Sequence, residues 1–172
     1  REKMDARIEE IADKQHIQEL QNRYSCSIDS GQYDNLDAMF TPDATYHFVT
    51  GSTDNIEALK STIRDALSSL STSQHINGNQ WAEIEGDRAA AGCYFTVHMY
   101  KKGLPDGEHF EMGGRYDDEL VRTSEGWRFS KRGSTCPVSS GNGSQSATCQ
   151  PVSFRRKRTR NPNSVKTLLK NM

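Results

Sequence analysis

The chain has 172 residues, of which 33% are hydrophobic and 26% charged. This size and composition fit one globular domain with one core and leave little room for two packed domains. No run approaches the roughly 18 apolar residues that a membrane-spanning helix needs, and the first residues show no signal-peptide hydrophobic region, so we expect a cytoplasmic protein.

The formal net charge is −1, but seven of the 22 Lys and Arg residues and none of the 23 Asp and Glu residues follow residue 136. The body is therefore acidic, and nucleic acid is not expected as a partner of the folded part.

The pattern at the start of the chain predicts an amphipathic helix over about residues 3–28. Apolar residues recur there at steps of mostly three and four, at Met4, Ile8, Ile11, Ala12, Ile17, Leu20, Tyr24 and Ile28. Ser30-Gly31 is a stop signal, so Asp29 is expected where this helix ends. A second short helix is predicted between Asp34 and Pro42, and a third over about residues 55–70.

Strand-like segments make up the rest of the predicted domain. The first is Thr45–Val49, followed by a loop over 50–54, and the others span about 75–85, 88–101, 108–122 and 126–135. Turn signals at residues 85–87, 104–107 and 124–126 separate them. Helices followed by an antiparallel meander predict an α+β fold, in which a strongly twisted sheet curls into a cone around a ligand site.

The composition changes after residue 136. We therefore predict a domain over 1–136 and a flexible Ser/Gly-rich linker with a basic tail over 137–172. The run Arg155-Arg156-Lys157-Arg158-Thr159-Arg160 is either a solvated extension or a polyanion-binding patch.

Three polar landmarks suggest the chemistry. Asp29 ends the first helix, Ser73-Gln74-His75 opens a strand, and residues 127–132 close another. A carboxylate and an imidazole brought together in an apolar pocket form a proton-abstracting pair that needs neither metal nor organic cofactor. On these residues alone, Asp29 could equally accept backbone N–H groups of the following turn, and His75 could equally bond a loop carbonyl.

With these three landmarks, the sequence resembles members of the nuclear-transport-factor-2-like superfamily. Within that superfamily it is most similar to the SnoaL-like group of polyketide cyclases, scytalone dehydratase and hexachlorocyclohexane dehydrochlorinase. The resemblance covers about residues 8–136 and rests on four segments: 17–29, Phe40-Thr41-Pro42-Asp43-Ala44, Ser73-Gln74-His75 and Gly126-Trp127-Arg128-Phe129-Ser130-Lys131-Arg132. It implies the same fold, a cone-shaped and mostly antiparallel sheet packed against three N-terminal helices.

The resemblance also implies roles for three residues. In the dehydratase and dehydrochlorinase members, the residues at the Asp29 and His75 positions form the catalytic pair, and an arginine at the Arg132 position assists the leaving group in the dehydrochlorinase. Carried over, His75 is the base, Asp29 orients it and Arg132 assists the leaving group. Tyr24 lies one helical turn and a residue before Asp29, so it could donate a hydrogen bond to a departing oxygen, and we expect Tyr24 with Arg132 to stabilise the departing or enolate oxygen. Tyr24 could also be plain core packing. Strand alternation puts Arg132 on the opposite face from Trp127, so Arg132 faces either the cavity or solvent.

Five residues are candidate pocket liners, although each could be a half-buried sheet residue: Tyr46, Phe48, Trp81, His98 and Tyr116. His98, His109 and Glu111 could suggest a metal site, but alternation and the intervening loop predict no fixed ligand geometry. We therefore expect neither a metal nor another cofactor.

The hypothesis is a cofactor-independent lyase or isomerase that abstracts a proton from a small hydrophobic ring compound in secondary metabolism or catabolism. Two alternatives remain open on the same fold: a non-catalytic ligand-binding or dimerisation module, and an enzyme of the polyketide cyclase or epoxide hydrolase type. Because an open sheet face is usually covered by a partner, a homodimer or homotrimer is expected.

Overall fold

The computed structural model describes residues 2–48, 51–103 and 108–140, with side chains described up to residue 136. In chain order its elements are α1 (Glu2–Asp29), a 3₁₀ helix (Tyr33–Ala38), β1 (Phe40–Phe48), β2 (Gly51–Thr53), α2 (Ile56–Leu67), β3 (Thr72–Glu85), β4 (Arg88–Tyr100), β5 (His109–Thr123) and β6 (Gly126–Ser140). The predicted turn at 104–107 and the basic tail lie outside the described residues. Within the described part, no helix combines the length and apolarity needed to cross a bilayer.

The six strands form one curled sheet in the order β2-β1-β6-β5-β4-β3. β1 runs parallel to β6, and all other neighbours are antiparallel. This confirms the predicted α+β cone with helices at its N-terminal end. The core between α1 and the sheet contains apolar residues from nearly every element, including Ile17, Leu20, Leu36, Leu59, Val97, Leu120 and Phe129.

Several boundaries differ from the sequence prediction. The first strand begins at Phe40, because Phe40 pairs with Phe129 of β6 before the chain reaches the predicted start at Thr45. Residues 51–53, predicted to be a loop, form an edge strand against β1. The last strand continues past Cys136 to Ser140, where it pairs with Glu111 of β5.

The end of α1 is defined by backbone hydrogen bonds typical of a Schellman motif. Gln32 N–H donates to the Ser27 carbonyl (2.9 Å) and Gly31 N–H donates to the Ile28 carbonyl (3.1 Å). Gly31 has a φ of +69°, a left-handed conformation that glycine adopts without a steric cost. The Ser30-Gly31 stop signal therefore works as predicted, and Asp29 is the last helical residue.

A bulge in β6 determines the orientation of Arg132, which strand alternation left open. Glu119 pairs with Lys131, but the next residue of β5, Leu120, pairs with Phe129, so Ser130 is an extra residue in β6. A single-residue bulge moves the residues beyond it to the opposite face of the sheet. Phe129 and Arg132 consequently both point into the core, whereas simple alternation had placed them on opposite faces.

The middle of α1 is fixed to the far end of the sheet through Asp13. Its carboxylate accepts hydrogen bonds from Arg122 Nη1 (2.7 Å), Arg122 Nη2 (2.6 Å) and Trp127 Nε1 (2.9 Å). The Arg122 guanidinium also lies over the Trp127 ring, 4.5 Å from its centre. The hydrogen bonds of Asp13 therefore connect α1 to both β5 and β6.

Asp13→Ala should lower the free energy of unfolding by about 1–3 kcal/mol, because it removes three hydrogen bonds to a carboxylate. Urea denaturation measures the change. Asp5→Ala, on the exposed part of the same helix, is the matched control and should change stability by less than about 0.5 kcal/mol. Equal effects of the two substitutions would contradict a specific anchoring role for Asp13.

Candidate functional site

Asp29 and His75 meet where the end of α1 lies against the start of β3. His75 Nδ1 is 2.7 Å from Asp29 Oδ1. The backbone N–H of His75 donates to Asp29 Oδ2 (2.7 Å), and the Ser73 hydroxyl donates to Asp29 Oδ1 (2.8 Å). One carboxylate thus holds both the backbone and the ring of His75. The His75 side chain is 9% exposed, so the pair is largely shielded from solvent.

A ladder of polar side chains aligns α1 with β3 and so brings the pair together. Gln18 Nε2 donates to Gln80 Oε1 (2.8 Å), and Gln80 Nε2 donates to Gln21 Oε1 (3.2 Å). One turn further along, Asn77 Nδ2 donates to Ser25 Oγ (3.0 Å). These helix positions follow the α-helical repeat, so one stripe of α1 carries all of these contacts.

A bulge in β3 makes this ladder possible. Gly78 pairs with Tyr94 and Trp81 pairs with Gly92, so two residues of β3 lie opposite Cys93 alone. Asn79, one of the two, has a φ of +51°. The extra residue changes the alternation along β3, which brings the side chains on both sides of the bulge to α1.

The pKa of Asp29 is held below its ordinary value. Burial acts in the opposite direction and is the largest single influence, but the hydrogen bonds from the ring and backbone of His75 and from Ser73 together outweigh it. Asp29 is therefore a carboxylate at neutral pH.

The carboxylate also determines which nitrogen of His75 can act as a base. With Asp29 at Nδ1, the neutral imidazole carries its proton on Nδ1, and the lone pair is on Nε2. Among the described residues, Nε2 has no hydrogen-bond partner. The pair therefore has the arrangement that general-base chemistry needs: an oriented imidazole with a free basic nitrogen.

Arg132 lies deep in the core and not at the surface. It is 1% exposed, and its guanidinium carbon is 4.0 Å from the centres of both the Tyr24 and Tyr116 rings. Its Nε is 3.6 Å from Asp118 Oδ1, yet none of the three guanidinium nitrogens donates a hydrogen bond to a described residue. The structure thus contains a buried cation with unused donors.

Burial raises the pKa of Asp118 to about 6, although Arg132 and a hydrogen bond from Gln21 Nε2 (3.2 Å) act in the opposite direction. Burial likewise raises the pKa of Tyr24 to about 12, so its phenol keeps its proton at neutral pH. Sequence reasoning missed Asp118 and Gln21, because nothing in an acidic strand or a polar helix face marks either residue as buried.

Two aromatic rings separate the Asp29–His75 pair from Arg132. The centre of the His75 ring is 6.3 Å from that of Phe95, and Phe95 stacks on Tyr116 at 4.4 Å. Tyr116 in turn contacts the Arg132 guanidinium. The four predicted catalytic residues therefore lie in one inward-facing region, with Phe95 and Tyr116 between His75 and Arg132.

The predicted pocket liners lie in three different places. Tyr116 is in the aromatic stack, while Tyr46 is buried against Phe40 (4.8 Å between ring centres) and Phe48 packs against the core. Trp81 borders a cleft of about 300 Å³ between α1 and β3, which Asp29 and His75 do not line. Its indole lies over Gly92, the residue it pairs with, on the outer face of the sheet.

The prediction that His98 lines the pocket is wrong. The residue alternates along β4 with buried Val97 and Met99, so its side chain lies on the outer face of the sheet. There it approaches His109 and Glu111, and the potential ligand atoms of the three residues all lie within 4.8 Å of one another. The expectation that the loop between β4 and β5 leaves these groups without a shared geometry is therefore not met.

Comparison with known proteins identifies the family of the chain. The profile of the SnoaL-like domain family matches residues 9–133. The chain belongs to this family. An uncharacterized protein of Mycobacterium tuberculosis is 33% identical to this SnoaL-like chain over 127 residues, which cover 73% of the chain and 86% of that relative.

Solved structures share the fold of the SnoaL-like chain, among them an NTF2-like protein from Novosphingobium aromaticivorans that is 28% identical, with a TM-score of 0.63 and coverage of 76% of this chain and 86% of its own. A protein from Novosphingobium aromaticivorans, provisionally named a scytalone dehydratase, has a TM-score of 0.72 at 16% identity and covers 88% of this chain and 98% of its own. LinA has a TM-score of 0.69 at 18% identity and covers 77% of this chain and 90% of its own. At these identities the likeness establishes the fold.

The stability of the protein should depend on pH through Asp29. Because folding lowers the pKa of Asp29, its ionisation stabilises the folded protein above the ordinary pKa of about 3.9, and this contribution is lost as the pH falls through the lower folded value. In Asp29→Asn the contribution is missing, so the stability difference from wild type should shrink as the pH is lowered from 7 to 3.

Urea denaturation at each pH measures this difference. Asp5→Asn, on the exposed part of α1, is the control, and its stability should follow that of the wild type at every pH. A difference between Asp29→Asn and wild type that stays constant down to pH 3 would contradict the assigned role of the carboxylate.

Proposed function

We propose that the protein is a cofactor-independent lyase or isomerase in which His75 removes a proton from a carbon next to a carbonyl group. The observation that supports this most directly is the 2.7 Å contact between His75 Nδ1 and Asp29 Oδ1, which leaves Nε2 as the basic nitrogen. Membership of the SnoaL-like family agrees with an isomerase or dehydratase type of chemistry.

The reaction needs only groups that the chain itself supplies. The proton passes from the substrate carbon to His75 Nε2, and the electron pair of the C–H bond moves towards the carbonyl oxygen. The negatively charged Asp29 stabilises the imidazolium that forms. The enolate then either expels a hydroxyl group from the neighbouring carbon, which takes the proton from His75 Nε2, leaves as water and gives a double bond, or, where it is conjugated with a C=C bond, takes that proton back at the far carbon of the conjugated system, which gives an isomer.

Tyr24 and Arg132 are proposed as the groups that stabilise the enolate or departing oxygen. Arg132 has unused buried donors, and the protonated phenol of Tyr24 is a further donor. Because Phe95 and Tyr116 lie between Arg132 and His75, this role requires the two rings to move when substrate binds. A small hydrophobic ring compound would replace the aromatic contacts that such a movement breaks.

Proton abstraction is testable without knowing the final product. The protein is incubated in D₂O with a panel of cyclic β-hydroxy ketones, and deuterium entering the carbon next to the carbonyl is followed by NMR. The wild type should catalyse exchange, and His75→Ala should slow it by about 10²- to 10⁴-fold, the usual contribution of a positioned general base.

The controls for this assay come from the same chain. Asp29→Asn should also slow exchange by at least about tenfold, since it removes the negative charge that stabilises the imidazolium. His47→Ala, which changes an exposed histidine of β1, should leave exchange unchanged. Exchange that survives in His75→Ala would remove the proposed base. Saturable binding of a panel compound without exchange would favour a ligand-binding module.

We also propose that a second copy of the chain covers the outer face of the sheet. Four large hydrophobic side chains on β3 and β4 are exposed by 38–54% there: Ile76, Trp81, Tyr94 and Tyr100. Strand pairing places Ile76 beside Thr96 and Gly78 beside Tyr94, so these side chains lie in one region. An apolar region of this kind is typical of a protein–protein interface.

Tyr94→Glu should convert the protein to a monomer, because it puts a charge in the centre of this region. Sedimentation velocity measures the change. Ile8→Glu, which alters an equally exposed apolar residue on α1, is the control and should leave the assembly intact. A wild-type protein that sediments as a monomer at micromolar concentration would contradict the proposal.

A further inference from the structure

We propose that His98, His109 and Glu111 form a binding site for a divalent transition-metal ion of the zinc class on the outer face of the sheet. This site is independent of the proposed enzymatic function. Val97, the residue that pairs with His75, points inwards, whereas its neighbour His98 points outwards. The sheet itself therefore separates this cluster from the Asp29–His75 pair.

Strand register brings the three side chains together. His98 of β4 lies directly opposite Glu111 of β5, and the next outward-facing pair is Tyr100 with His109. Residues two apart on a strand share a face, and directly opposite residues have neighbouring side chains. All three groups therefore project from paired backbone, which keeps their relative positions fixed.

The distances between the potential ligand atoms suit a tetrahedral ion. His98 Nδ1 is 3.1 Å from His109 Nε2 and 3.4 Å from Glu111 Oε2. In a tetrahedral site with metal–ligand distances of about 2.0–2.1 Å, neighbouring ligand atoms lie about 3.3 Å apart. Both separations from His98 are close to this value, and the ligand atoms of His109 and Glu111 lie within 4.8 Å of each other. An ion could therefore bind after the His109 and Glu111 side chains approach each other, without a large change in the strands.

Ring packing supports the orientation of both imidazoles. The His98 and His109 rings are nearly parallel, with 15° between their planes, and the His109 ring also packs against Tyr100 at 4.8 Å. Two imidazole nitrogens and one carboxylate oxygen favour zinc, cobalt, nickel or copper over magnesium or calcium, which prefer oxygen ligands alone. Three protein ligands leave at least one position of the ion open to solvent or to a further group.

The test is calorimetric titration of the full-length, chelator-treated protein with Zn²⁺, and with Mg²⁺ as the oxygen-preferring comparison. Wild type should bind one Zn²⁺ per chain and no Mg²⁺ in the same concentration range. His98→Ala and Glu111→Ala should each weaken Zn²⁺ binding at least tenfold. Co²⁺ should give the visible absorption of a low-coordinate site, and His98→Ala should abolish it.

Matched controls separate this site from other histidines. His47→Ala removes an exposed histidine elsewhere on the sheet, and His75→Ala removes the candidate base; both should bind Zn²⁺ as wild type does. Circular dichroism confirms that each variant is folded. Wild type without saturable Zn²⁺ binding, or His98→Ala with an affinity within twofold of wild type, would overturn the proposal.

Discussion

The whole arrangement depends on α1 being held against the edge strand β3 by polar side chains. Apolar packing holds one stripe of the helix in the core, and Asp13 fixes its middle to β5 and β6. The ladder from Gln18–Gln80 to Ser25–Asn77 sets the axial position, because each hydrogen bond requires partners within about 3 Å. Asp29 is the last rung, and its position against His75 follows from the rungs before it.

Much of the fold could be predicted from the sequence, since the long helix and four of the strands have clear periodicity and clear turn signals. What could not be predicted were the bulges. Ser130 and Asn79 are extra residues only in relation to the strands that they pair with. The sequence of one strand does not show how it pairs with its neighbour. The orientation of Arg132 could not be decided for this reason. One inserted residue moves every side chain beyond it to the opposite face of the sheet.

The candidate site was predictable to a similar degree. Asp29 and His75 were identified from residue type, position in their elements and family resemblance, and the structure brings them into contact. Asp118 was missed because its importance comes from burial beside Arg132, which depends on long-range packing. His98, His109 and Glu111 were considered as metal ligands and set aside for lack of a fixed geometry, and only the register of β4 with β5 shows that the three side chains share a face.

The position of Asp29 at the last residue of α1 has an electrostatic consequence. The peptide dipoles of a helix add up to a partial negative charge at its C-terminal end, which is unfavourable for a carboxylate there. The three hydrogen bonds that Asp29 accepts offset this repulsion. Ser73 and His75, the residues that position the pair, therefore also keep a negative charge at a helix end where the backbone alone disfavours it.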